Sequence, residues 1–94
     1  MNYIRHLSAV FEKIDTEPQL SPYHISLYLA LFRIWNQNYF NNPVSVARDE
    51  LMRLAKIGSI STYTRSLKDL HRLEFIRYEP STNRHRASKF YLYT

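Results

Sequence analysis

Ser59, Ser61, Thr62, Arg65, Ser66, Lys68 and Arg72 crowd one short stretch of this 94-residue chain. Short hydroxyl side chains at a helix start let backbone amides and oxygens approach a phosphate or a base edge closely. An arginine about one turn further in can span O6 and N7 of a guanine, a contact that discriminates bases by ~1–3 kcal/mol. A second group, Arg84, His85 and Arg86, follows the turn formers Pro80-Ser81-Thr82-Asn83. Cations on such a turn suit phosphate or minor-groove contact. The plain alternative is that the hydroxyls cap a helix and the cations only solvate a surface.

Charge favours the polyanion. Residues 1–46 hold three basic side chains (Arg5, Lys13, Arg33) and three acidic ones (Glu12, Asp15, Glu17). Residues 47–94 hold ten basic and five acidic ones, so the whole net charge of +5 lies in that half. Catalysis finds little support. His6, His24, His71 and His85 lack metal-ligand spacing, and the chain has no cysteine. A single glycine, Gly58, cannot build a phosphate-cradling loop, and Asp49-Glu50 suits a helix N-terminus better than a catalytic dyad. No cofactor, metal or small-molecule ligand is expected, and the chain is not expected to be an enzyme.

The elements that must position these residues follow from periodicity. With 45% apolar and 15% aromatic residues, the chain can build one core and is not a disordered basic tail. Ile4, Leu7, Phe11 and Ile14 line one stripe of a helix near 2–16, widened by Tyr3 and Val10. Ser21-Pro22 opens a second helix near 22–40, apolar around most of its circumference and so central. Asn42-Pro43 is a turn signal, and Val44-Ser45-Val46 suits a short strand. A helix near 48–56 precedes Gly58, where a positive φ is expected. A helix near 60–73 places Ile60, Tyr63, Leu67 and Leu70 inward, with Ser61, Thr62, Arg65, Lys68, Asp69 and Arg72 roughly opposite. Period-two alternation then marks strands near 75–79 and 88–93. Arg5, His6, Glu12 and Lys13 interrupt any signal-peptide core, and the apolar run Leu27–Phe32 is too short to cross a bilayer, so a cytoplasmic location is expected.

The run Ser45-Val46, Asp49-Glu50-Leu51, Leu54-Ala55-Lys56-Ile57-Gly58-Ser59, Thr62-Tyr63-Thr64-Arg65-Ser66-Leu67-Lys68-Asp69-Leu70 and Phe75-Ile76 resembles the winged helix-turn-helix superfamily of bacterial transcription regulators. Pro22-Tyr23-His24 with Leu27-Tyr28-Leu29-Ala30-Leu31 is similar to the first helix of such domains. Two positions depart from the pattern: Glu74 where glycine is frequent, and Ala47 where a serine or threonine cap is frequent. The resemblance implies an α+β, mainly α, single domain over residues 1–94. Residues 1–17 would be an accessory helix, 21–94 the winged core, and the C-terminal hairpin the wing. It implies sequence-specific binding of double-stranded DNA by a transcriptional regulator, with helix 59–73 in the major groove and residues 80–88 on the backbone or minor groove. The expected DNA contacts are Ser59, Ser61, Thr62, Arg65, Ser66, Lys68, Arg72, Arg84, His85 and Arg86. A homodimer through Ile4, Leu7, Phe11 and Ile14 is expected. The alternatives are a protein–protein interaction module, or an accessory factor in plasmid or mobile-element replication or excision.

Overall fold

The computed structural model describes residues 3–81 and 87–93. Its elements are α1 (Tyr3–Asp15), α2 (Pro22–Gln37), β1 (Val44–Val46), α3 (Arg48–Ala55), α4 (Ile60–Arg72), β2 (Ile76–Glu79) and β3 (Ser88–Leu92). The architecture is α+β and mainly helical, with one antiparallel sheet in the order β1-β3-β2. Each element lies where periodicity predicts it, within a few residues. The largest difference is at α2, which stops at Gln37 rather than near 40 because Tyr39 and Phe40 turn left-handed, at φ 55° and 59°.

Helix α2 is the axis of the domain. Leu27, Leu31 and Trp35 are wholly buried along it, and α3, α4, β1 and β3 all pack against it. The sheet supplies Val44, Ile76, Phe90 and Leu92 from its inner face, with Val44 opposite Phe90 and Ile76 opposite Leu92. Asn42 extends the pairing of β1 with β3. Its side-chain amide donates to the Leu92 carbonyl at 2.8 Å, and its oxygen accepts the Leu92 N–H at 3.1 Å.

Helix α1 docks on the far side of α2 by a different face from the expected one. Tyr3 stacks on Phe40 with centroids 3.9 Å apart. The His6 ring lies 5.7 Å from Phe32 and 5.4 Å from Trp35, and Lys13 reaches over Phe75. Val10 and Ile14 pack against the core. Ile4 is 80% exposed and Phe11 44%, close to the 45% of Tyr3, and Leu7 is half-buried. The apolar stripe is therefore split, because the aromatic side chains at 3 and 6 find ring partners that an aliphatic residue at 4 cannot.

Three helices end by one device. After α2, α3 and α4 the residues Tyr39, Lys56 and Glu74 adopt left-handed φ values of 55°, 61° and 64°. The next N–H in each case reaches back five residues: Phe40 to Trp35, Ile57 to Met52, and Phe75 to Leu70. This is a Schellman-type closure, which satisfies orphan carbonyls and presses the following apolar residue onto the core. The expectation for Gly58 is corrected. The left-handed residue is Lys56, because α3 ends at Ala55. Gly58 has no positive φ, an added Cβ would meet nothing within 4 Å, and no internal feature explains the glycine.

Two outcomes follow from these contacts. An L-residue in the left-handed region costs ~1–2 kcal/mol, and glycine gives back ~0.5–1 kcal/mol in backbone entropy. Glu74→Gly should therefore stabilise the protein by roughly 0.5–1 kcal/mol, since the Lys13 ammonium donates to the Glu74 backbone carbonyl, which the substitution keeps. Urea unfolding with an unchanged m-value checks this, and a lower midpoint contradicts it.

The second outcome concerns His6, whose pKa burial pushes below the ordinary value of 6.5. The undocked helix takes up its proton near the ordinary value, and the docked one only at lower pH. Stability from α1 docking is thus complete above pH 6.5 and declines as pH falls from there towards the docked pKa. Trp35 fluorescence and melting temperature at pH 7.5 and 5.5 should separate wild type from His6→Phe, in which this part of the pH dependence disappears. Identical pH profiles would refute it.

Candidate nucleic-acid interface

Helix α4 begins at Ser59, whose extended backbone makes it the N-cap and whose hydroxyl accepts the Thr62 N–H at 3.3 Å. The Ser61 hydroxyl lies 3.0 Å from that of Ser59. Short polar residues here do two jobs, since capping leaves the first turn's remaining amides facing outward. Tyr63, Ser66, Leu67 and Leu70 form the buried face. Burial also raises the Tyr63 pKa, so its phenol stays neutral.

Ser66 is thus corrected from the contact set: it is 2% exposed and lies on the buried face of α4. Ile60 is also relocated. It is 54% exposed rather than inward, and with Ser61, Thr64, Arg65, Lys68 and Asp69 it lines a shallow depression along the outer side of α4. Thr64 was not among the expected contacts. Its place one helical turn from both Ile60 and Lys68 is the signal that finds it.

The cations of α4 fall into two groups. Arg65 and Lys68 are exposed and have no partner among the described residues. Arg72 is tied: it donates to Gln19 at 2.7 Å and to Asp69 at 3.2 Å. Asp69 in turn lies 2.9 Å from Nε2 of the buried His24. The backbone N–H of Ser21 donates to His24 Nδ1 at 2.9 Å, so Nε2 carries the proton that Asp69 receives. The His24 hydrogen bond, with Arg72 adding to it, holds the Asp69 carboxyl below its usual pKa. The last turn of α4 is thereby fixed to the start of α2.

Behind α4 the chain passes into the hairpin. His71 accepts the Tyr78 N–H through Nδ1 at 3.0 Å, which joins the helix end to β2. β2 and β3 pair from Ile76 opposite Leu92 to Glu79 opposite Lys89. Arg77 lies over the Tyr91 ring and near Glu79. Arg84, His85 and Arg86, in the connection between these strands, lie outside the described residues. Of the expected contacts, Ser59, Ser61, Thr62, Arg65, Lys68 and Arg72 are brought together on α4, with Thr62 half-buried and Arg72 engaged internally.

No group of three or more metal-ligating side chains occurs among the described residues, and no helix among them is long and apolar enough to cross a membrane. Compared with known proteins, the chain matches no family model, no curated protein and no solved structure.

Proposed function

We propose that this chain is a winged helix-turn-helix protein that binds duplex DNA sequence-specifically as a transcriptional regulator. The observation that carries the reading is the outer face of α4, where Ser61, Thr64, Arg65 and Lys68 are exposed while the opposite face is committed to the core. An exposed helix face bearing hydroxyls and unpaired cations fits the width of a major groove. The net charge of +5, all of it in residues 47–94, supports a phosphate-lined partner. A glycine at position 58 that no internal contact demands suits close approach of a phosphate to the backbone before α4. In this reading α4 reads bases and the 80–88 segment, with Arg84, His85 and Arg86, holds the flanking backbone or minor groove.

A second contact is proposed for α1. Ile4 and Phe11 leave apolar surface exposed on α1, at 80% and 44%, which favours pairing of two copies. Two copies would present two α4 helices to two half-sites.

Base contacts specify and phosphate contacts position, so the two groups of arginines should separate experimentally. Arg65→Ala should weaken the best site from a random-pool selection by ~1–3 kcal/mol and leave scrambled duplex nearly unaffected. Arg84→Ala with Arg86→Ala should weaken all duplexes together and flatten the log–log salt slope by about 0.9 for each lost phosphate contact. Salt titrations of both variants on both duplexes decide it. Absence of salt-sensitive binding by the wild type would end the DNA reading.

For assembly, light scattering at micromolar concentration should show a dimer that Phe11→Asp converts to a folded monomer. Phe11 is exposed enough for the charge to be tolerated within one copy. A wild-type monomer would leave α1 as cover for its own subunit only.

A further inference from the structure

Ile60 is the one large apolar side chain that α4 leaves exposed, at 54%, while Tyr63, Leu67 and Leu70 are buried. Folding gives no reason for it. The cap of α4 is made by Ser59 and Thr62 without the Ile60 side chain, and a β-branched residue has no advantage in a helix. Yet Ile60 shares its depression with Ser61, Thr64, Arg65 and Lys68, the groups on which the DNA reading rests. A polyanion alone would not be met by an aliphatic side chain at the head of that row.

The edges of base pairs in a major groove offer hydrogen-bond donors, acceptors and one apolar group, the C5-methyl of thymine. We propose that Ile60, assisted by the γ-methyl of Thr64, packs on a thymine methyl and so fixes one A·T pair in the recognised site. This inference depends on the DNA reading and adds the base that this end of α4 selects. Thr64 follows Ile60 by four residues, one helical turn on, so the two methyl-bearing side chains are neighbours on the same face and can meet a single methyl.

The test uses deoxyuridine, which differs from thymidine only in lacking that methyl. Each thymine of the selected duplex is replaced in turn and the affinity of the full chain measured. At one position the wild type should lose roughly fourfold, the worth of one buried methyl-sized group, and the other positions should change little. Ile60→Ala should bind the thymine and uracil duplexes equally there, while Ile60→Val keeps part of the preference. Placing 5-methylcytosine in a C·G pair at that position should restore affinity relative to cytosine. If the wild type binds its selected site but no thymine responds to the exchange, the inference falls and the DNA reading stands. If Ile60→Ala keeps the wild-type response, another residue reads the methyl and the inference is wrong. If the wild type binds no duplex, both fall together.

Discussion

The structure depends on burying one broad face of a single central helix. Leu27, Leu31 and Trp35 follow one another at four-residue spacing along one side of α2 and are each fully buried, while Leu29 and Arg33 on the other side stay exposed. α3, α4, β1 and β3 pack against α2, and α1 adds Tyr3 and His6 at the Phe40, Phe32 and Trp35 rings. The ring cluster there carries a cost, because the Trp35 indole N–H has no hydrogen-bond partner among the described residues. An unsatisfied buried donor costs ~1–3 kcal/mol. Contacts of Trp35 with His6, Phe32 and Phe40, at ~0.5–1.5 kcal/mol per aromatic pair beyond the area buried, offset it. Helix α1 is thus part of the core's closure even though none of its residues is fully buried.

From this constraint the ends of the helices follow. A chain that must return repeatedly to the same central helix needs sharp reversals with an apolar residue set down after each. Tyr39, Lys56 and Glu74 supply the reversal, and Phe40, Ile57 and Phe75 the apolar residue. Glu74 stands where glycine would be at ease, since the backbone there is left-handed. Lys56 hides the same conformation behind a residue type that gives no warning of it, which is why the lone glycine two residues later draws the attention.

Element order and type were legible because the periods are strong: 3.6 in α4, two in β2 and β3, and clear stops at Pro18, Ser21-Pro22 and Asn42-Pro43. What a helical wheel could not settle is which apolar residue finds a partner. Ile4 and Ile60 are as apolar as their neighbours, yet each lies at the margin of its stripe and ends up exposed. Ser66 errs the other way, a polar residue that lies on the buried face of α4. The His24–Asp69 bond links residues far apart in sequence. Nothing local announces it.

That bond also explains how one helix can be both anchored and available. Asp69 draws in His24 from below and Arg72 from the side, and Arg72 is in turn held by Gln19. The last turn of α4 therefore carries a closed set of contacts: Asp69 pairs with Arg72 and receives the His24 Nε2 donor. Toward the first turn no carboxylate competes for Arg65 or Lys68 among the described residues. A rigid attachment at one end with uncommitted cations at the other keeps the outer row of Ile60, Ser61, Thr64, Arg65 and Lys68 at a fixed angle to the core. Preorganisation of this kind reduces the entropy lost when a partner docks. It also confines the discrimination proposed for α4 to its first two turns, where short side chains and one aliphatic group leave room for base edges.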